Sequence, residues 1–477
     1  MATQHRSKPN APRARRIAFA VAWALAWGTA PGAALAADAT QRPPRCPPAE
    51  TAATQGGPEP LALREGLRVG YRDLLRLRAW LPAEVWRNRN TFFHARMQME
   101  IGPCFRRYAL PGPPSGDGSF SVDDAGNLVG AGGGLPFPPA TLDPAGADAG
   151  ARWAWNVERR DRGAGPHGRF RIVDKPGRTG ATQTYTGEWH QWIPPREGDA
   201  DDEDAPRWVA GGRFASPGSV RHLAWKQTRR AASDADFEAP DATFVYLPSL
   251  RRVRRAASAW SDGLFMPRYR AGRAAGGERA LPLGGGAAVS AGGSVAATEH
   301  LRRGFLGLSL RPNAYVWRLE GERDVLAPLN VSRSGYPKHP GRDFGPSGLS
   351  AASDRWELRR AVLLHGDLRA RGGDYDRLTL YVDAQTAQPL YYITKRRDGR
   401  LVEVGILLHR YSGDQAGYPP GRDGEPLRVF DPVAAVFYET RGGGSGWRRE
   451  SYDVRSTPLS DAERERWLAP GALERRG

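Results

Sequence analysis

The chain has 477 residues, 40% of them hydrophobic, with 15 each of Trp, Tyr and Phe, enough to bury a sizeable core as one large domain or two small ones. Its formal net charge is +17, carried mostly by arginine. Only two cysteines are present, which excludes a disulfide-dense scaffold and a cysteine-ligated metal cluster.

The first forty residues read as a secretion signal. Arg6, Lys8, Arg13, Arg15 and Arg16 precede an apolar run from Ile17 to Trp27, and small residues lead to Ala34-Leu35-Ala36, an A-x-A cleavage site. The apolar run is shorter than the roughly 20 residues that a spanning helix needs, and Gly28, Pro31 and Gly32 interrupt its end. Cleavage near Ala36 is therefore expected, with the mature chain in the periplasm. The leader holds five basic residues and no acid, which leaves +12 of the +17. That excess is either a solvated surface or one that meets anionic headgroups or an acidic partner. Nucleic acid is not an expected partner in that compartment.

Residues 37–60 read as an extended Pro-rich tail. Cys46 within it and Cys104 beyond it are expected to pair in an oxidising compartment, closing a loop worth at most about 4 kcal/mol by chain entropy. Leu63, Leu67, Tyr71, Leu74 and Leu75 recur at three- and four-residue steps and predict an amphipathic helix. Pro82 ends it and starts a second helix through Glu84, Val85 and Trp86 towards Phe92 and Phe93. Residues 110–150 are dense in Pro and Gly and read as a loop.

The period then changes to two. Thr182–Trp192, Trp208–Phe214, Leu223–Gln227 and Thr243–Leu247 read as strands. Trp153, Trp155, Trp189, Trp192, Trp208, Trp225 and Trp317 all fall in or beside such runs. They serve either as core or as the lining of an apolar cavity. Residues 270–298 read as a flexible Ala/Gly insertion. Leu378–Asp383, Pro389–Lys395 and Leu401–Tyr411 read as three strands, the last two joined by a tight turn at Asp398-Gly399. Residues 439–477 read as a C-terminal tail ending in a short helix, with Ser460 as N-cap and Glu463 at capping-box spacing. The strands follow one another without helices between them, so the expected body, 61–438, is mainly β (α+β). It would be one large curved antiparallel sheet, or half-open barrel, with a few covering helices.

No H-E-x-x-H, G-x-S-x-G, phosphate loop or cysteine ligand set occurs, so neither an enzyme nor a cofactor is expected. His190, and His365 near Asp367, read as structural. The densest motif is Phe244-Val245-Tyr246-Leu247-Pro248-Ser249-Leu250-Arg251-Arg252-Val253-Arg254-Arg255. An extended chain puts Arg252 and Arg254 on one face and Arg251 and Arg255 on the other, and unpartnered buried guanidinium is costly. The segment is thus a charge-protected edge, or a cationic rim that holds phosphate or carboxylate groups.

Tyr246-Leu247-Pro248 with its arginines, followed by Asp262 and Phe265, resembles the family of Gram-negative periplasmic proteins known as domain of unknown function 1329. So do Met99-Glu100-Ile101-Gly102-Pro103-Cys104, Gly134-Leu135-Pro136-Phe137-Pro138, Trp153-Ala154-Trp155-Asn156 and Trp356-Glu357-Leu358. That family is similar to the LolA- and LolB-like lipoprotein-sorting carriers. The resemblance implies a half-open barrel with helices across its opening and an apolar cavity for acyl chains. It also implies a genomic link to exporters of the resistance-nodulation-division (RND) type. The expected function is a carrier or adaptor for a lipid, a lipoprotein or another amphiphile. The alternative is an accessory protein that docks onto such an exporter or an outer-membrane protein, and a third reading is an envelope hydrolase. The candidate ligand-binding residues are Arg251, Arg252, Arg254, Arg255, Tyr246, Trp153, Trp155, Trp189, Phe265 and Trp317.

Overall fold

Leu74, Leu77 and Trp80 are buried at steps of three residues, and that spacing decides how the chain enters the fold. The computed structural model describes residues 46–47, 59–111, 120–130, 134–175, 177, 182–195, 202–248, 250–256, 308–332, 351–370, 375–440, 446–469 and 471–474. The leader, most of the 37–60 tail, Phe265 and the 270–298 insertion lie outside these residues.

The chain begins with β1 (Arg68–Val69), a 3-10 helix over Tyr71–Trp80, α1 (Ala83–Arg87), α2 (Arg89–Phe92) and β2 (Met99–Ile101). The single helix expected through Leu63 and Leu75 is corrected: Leu63 and Leu67 precede β1, and Tyr71 and Leu75 are exposed. A 3-10 helix repeats every three residues, so Leu74, Leu77 and Trp80 stack in one buried row. Cys46 and Cys104 are joined by a disulfide, with Cα atoms 5.2 Å apart.

A small hairpin, β3 (Ser121–Val122) and β4 (Leu128–Val129), stands apart from the main sheet and leads to α3 (Ala149–Arg159). A first meander follows: β5 (His167–Lys175), β6 (Gln183–Trp192), β7 (Pro206–Ser216), β8 (Ala224–Arg230), the short α4 (Ala232–Ala235), β9 (Ala242–Leu247) and β10 (Arg252–Ala256). A second comprises β11 (Tyr315–Ala327), β12 (Arg355–Leu368), β13 (Arg377–Asp383), β14 (Pro389–Lys395), β15 (Leu401–Tyr411), β16 (Phe430–Glu439) and β17 (Gly446–Arg455). Each meander pairs antiparallel in chain order, and β17 pairs with β5, so the two make one sheet. The sheet is curved, and among the described residues it is unclosed, with β10 at one end and, beyond β12, both β11 and the β2–β1 pair at the other. Its parallel pair is β2 with the start of β12.

The absence of helices between strands thus predicts the sheet correctly. The Asp398-Gly399 turn forms as expected, with Gly399 at φ +83°. Residues 446–455, which read as tail, are instead the strand that joins the two meanders.

Register assigns the faces. Trp189, Gly212, Trp225 and Val245 lie directly opposite one another across β6 to β9 and so share one face. Gly212 makes room for the Trp225 ring, which would lie 2.7 Å from a Cβ placed there. On the same face of the second meander, Leu378, Leu380, Tyr392, Leu407 and Phe437 pack under Trp153, Ala154 and Val157 of α3. On the opposite face Tyr391, Ile393, Val404, Ile406 and Val436 pack with Leu74, Leu77, Trp80, Val85, Phe92 and Phe93 of the entry segment. β14, β15 and β16 of the second meander are therefore buried on both sides.

The C-terminal helix α5 (Asp461–Leu468) starts in the expected capping box, Glu463 N donating to Ser460 Oγ at 3.3 Å. It rests against the first meander on the side away from α3. Trp467 stacks on His190 at 4.8 Å, and Lys226 Nζ donates to the Leu468 carbonyl at 3.1 Å.

Where β17 ends, the Asp431 carboxylate accepts from Ser456 N at 2.9 Å, Ser456 Oγ at 2.7 Å and Tyr418 Oη at 2.9 Å. Burial outweighs these bonds and pushes the Asp431 carboxyl up to about 6. An acid raised in the folded state binds its proton there first. Its contribution is full below the unfolded value of 3.8 and is lost as pH rises through about 6. Relative to Asp431→Asn, the native chain should gain about 3 kcal/mol between pH 7.5 and 3.8. Denaturant melts of the two proteins across that range check it; parallel curves would refute the assignment.

Candidate functional site: a cavity at the C-terminal end of α3

Residues 149–159 begin with small Ala149, Gly150 and Ala151, which lets the helix approach the sheet closely. A Cβ at Gly150 would lie 2.9 Å from the Arg318 backbone of β11. Trp153, Ala154 and Val157 recur at helical steps and face the sheet. Trp155 points elsewhere, packing with Leu128 and Phe137 and donating from Nε1 to the Gly126 carbonyl at 3.0 Å. Trp153 and Trp155 are therefore helical, not strand residues. Their two-residue spacing imitates strand alternation because each side of α3 meets a different apolar partner.

Past Val157 the helix turns polar with Glu158-Arg159-Arg160-Asp161-Arg162. Glu158 is buried, and its Oε2 accepts from Leu310 N at 2.7 Å while Oε1 accepts from Ser309 Oγ at 3.2 Å. It is shared by two arginines, Arg162 and Arg229, each at 3.5 Å. Asp234 is likewise shared, by Arg159 at 3.3 Å and Arg207 at 2.9 Å. Behind them Arg229 and Arg311 clamp Asp241 at 3.2 and 2.8 Å. Burial would raise that carboxyl, but the two guanidinium groups outweigh it and hold it below its ordinary value. Arg160 donates to Gln388 Oε1 at 3.1 Å and to the Leu308 carbonyl at 2.8 Å. Burial and the neighbouring Arg162 depress its guanidinium to about 9. Burial also lowers Arg159, helped by Arg207 and Arg162 and opposed by Asp234 and Glu158.

These side chains border a cavity of about 580 Å³. Its apolar wall includes Leu110, Leu135, Ile193, Trp208, Val429 and Phe430; its polar wall includes Arg159, Arg162, Arg207, Arg229 and Arg428 with Glu158 and Asp234. Apolar walls with a few converging polar groups and a volume within roughly 300–1,000 Å³ are the usual make-up of a small-molecule site. Among the described residues no cluster of three His, Cys, Asp or Glu is placed to hold a metal ion, and no helix is long and apolar enough to cross a membrane.

None of the nine described ligand-binding candidates read from the sequence lines this cavity, and the tenth, Phe265, lies outside the described residues. Trp189 packs with Phe170, Trp208 and Trp225, while Trp317 packs with Tyr315 and donates to the Pro312 carbonyl at 2.8 Å. Tyr246 is buried in β9, opposite Val253. Arg251, Arg252, Arg254 and Arg255 are exposed on the β9–β10 hairpin, where β10 forms an end of the sheet among the described residues. His365 contacts Glu320 and Thr379 on the sheet, and the buried His190 is depressed to about 3 by desolvation.

The sequence model of the family described as "Protein of unknown function (DUF1329)" matches residues 116–266 and 303–417, more than half of the chain. The chain belongs to the DUF1329 family. The match takes in α3, the first meander as far as β10, and β11 to β15. Arg428 and Phe430 of the cavity wall lie beyond it. No curated protein matches the chain.

Solved structures similar to this DUF1329 chain include a putative outer membrane lipoprotein-sorting protein domain from Vibrio parahaemolyticus, at 16% identity, covering 69% of this chain and 100% of its own, with TM-score 0.39. A DUF1329 family protein from Desulfovibrio piger matches at 15% identity over 69% and 99% of the two chains, TM-score 0.40. A LolA superfamily protein from Nitrosomonas europaea matches at 12% identity over 66% and 96%, TM-score 0.31. The superpositions are loose, and the architecture rests on this chain's own strand order.

Proposed function

We propose that this DUF1329 chain is a periplasmic carrier that shelters a hydrophobic or amphiphilic molecule, such as a lipid or the acyl chain of a lipoprotein. The observation that carries the reading is the cavity at the end of α3, whose apolar and arginine walls meet in one space of about 580 Å³. Transfer of apolar chain into such a space is worth roughly 0.8 kcal/mol per CH₂. Loading is passive in this scheme, with no bond made or broken. The leader that ends near Ala36 delivers the chain to its compartment.

A second reading is favoured by the four exposed hairpin arginines, which form no ion pair with any described residue. They suit docking on an acidic face of an envelope exporter or outer-membrane partner.

Native mass spectrometry of protein taken from the periplasm tests both the compartment and the cargo. The expected result is a chain beginning at Ala37 that carries one amphiphile, identified after solvent extraction. A bare chain that takes up neither phospholipid nor acylated peptide would shift the assignment to docking.

A further inference from the structure

Two features of the cavity go beyond a generic greasy pocket: its charge and its size. Seven arginines on the wall, Arg159, Arg160, Arg162, Arg207, Arg229, Arg422 and Arg428, outnumber three carboxylates, Glu158, Asp161 and Asp234. Glu158 and Asp234 are each divided between two guanidinium groups, so each of these trios carries a surplus positive charge. The clamp behind them adds no compensation, because Asp241 is itself matched by Arg311. Arg428 is exposed and pairs with no described carboxylate. Arg159 is nearly buried, with 10% of its side chain exposed. Confining like charges in a partly desolvated space is costly unless an anion enters. The depression of Arg159 by burial and by its arginine neighbours has the same cause.

The volume sets the rest. A space of about 580 Å³ sits mid-range for a drug-sized ligand and is too small for the several acyl chains of a whole lipoprotein anchor.

We propose that this cavity is a site for a single-chain amphiphile with an anionic head, a carboxylate or a phosphate. Arg159, Arg162, Arg207 and Arg428 hold the head, and Leu110, Leu135, Ile193, Val429 and Phe430 enclose the chain. This rests on the carrier reading and narrows its cargo. It also moves the anion contact away from the β9–β10 hairpin.

The test is calorimetric titration of the full mature chain with laurate, lauryl phosphate, neutral monolaurin and inorganic phosphate. The variant is Arg207→Ser with Arg428→Ser. Arg207 is half-exposed and its partner Asp234 keeps Arg159, so the fold should survive their loss. If the double variant does not fold, Arg428→Ser alone serves, since Arg428 lies exposed on a loop. The control replaces Arg251, Arg252, Arg254 and Arg255 by Ser.

The expected result is one laurate or lauryl phosphate per chain, with monolaurin at least about tenfold weaker. The double variant should bind the anionic ligands roughly ten- to a hundredfold more weakly and monolaurin within about twofold of the native chain. The hairpin variant should bind like the native chain. Equal binding of laurate and monolaurin, or loss in the hairpin variant alone, overturns the anionic-head site and leaves the carrier reading intact. Inorganic phosphate as tight as lauryl phosphate overturns the amphiphile class, and more than one chain per protein overturns the size argument. If no amphiphile binds, both readings fall.

Discussion

Replacing Arg448 by methionine is expected to destabilise the protein by roughly 3–5 kcal/mol, because it withdraws a cation shared by several buried carboxylates. Arg448 lies on the α3 side of β17 with 4% of its side chain exposed. Its Nη1 donates to Glu439 at 2.8 Å, and Nη2 lies 3.3 Å from Glu403. Nε is 2.7 Å from Glu450 but off the hydrogen-bond direction, so that contact is Coulombic. The guanidinium also sits 4.3 Å from the Phe437 ring centre. Burial works to lower Arg448, but Glu403, Glu450, Asp174 and Tyr452 outweigh it and hold it firmly charged.

Methionine would keep the contact with Phe437 and remove the charge. The carboxylates would then meet one another in a desolvated space, where their pKa values rise. The deficit of the variant should be largest near pH 8 and shrink as pH falls towards about 5, where they take up protons. Asp431 titrates in both proteins, so the difference between their chemical-denaturation curves isolates Arg448. A deficit that is constant with pH would mean that packing, not charge, is what the arginine supplies.

The same strand shows why part of the fold is hard to read. In Gly446–Arg455 both faces are buried as far as Tyr452, and the α3 side carries Arg448 and Glu450, paired to each other. Alternation of apolar and polar residues is then absent, and a Gly-rich approach completes the appearance of a tail. By contrast Pro389–Lys395 and Leu401–Tyr411 are apolar along almost their whole length and bracket a turn that needs a positive φ, so their bounds are legible to the residue. The cavity is hard to read from the sequence for a related reason. The attraction of Arg251 to Arg255 is their density in sequence, whereas Arg159, Arg162, Arg207 and Arg428 come from four separate places. What could have found them is the charged run Glu158 to Arg162 closing an apolar helix. A strand reading of Trp153 and Trp155 hides that signal.

Glu158 is where stability and binding should part company. Its side chain is 7% exposed and joins α3, β8 and the segment entering β11. Replacement by alanine strips the acceptor from Leu310 N and Ser309 Oγ and withdraws the carboxylate from Arg162. Arg229 keeps Asp241. The expected loss is roughly 3–5 kcal/mol, read as a lowered denaturation midpoint. Glu158→Gln retains an oxygen acceptor and removes only the charge, so it should cost less. It also leaves Arg162 and Arg229 with more positive charge to offer an anion in the cavity. Laurate should therefore bind about tenfold more tightly to Glu158→Gln even as the protein melts earlier, while monolaurin is unchanged. A carboxylate that only braces the scaffold would lower stability and affinity together, and that result would remove the cavity arginines from ligand binding.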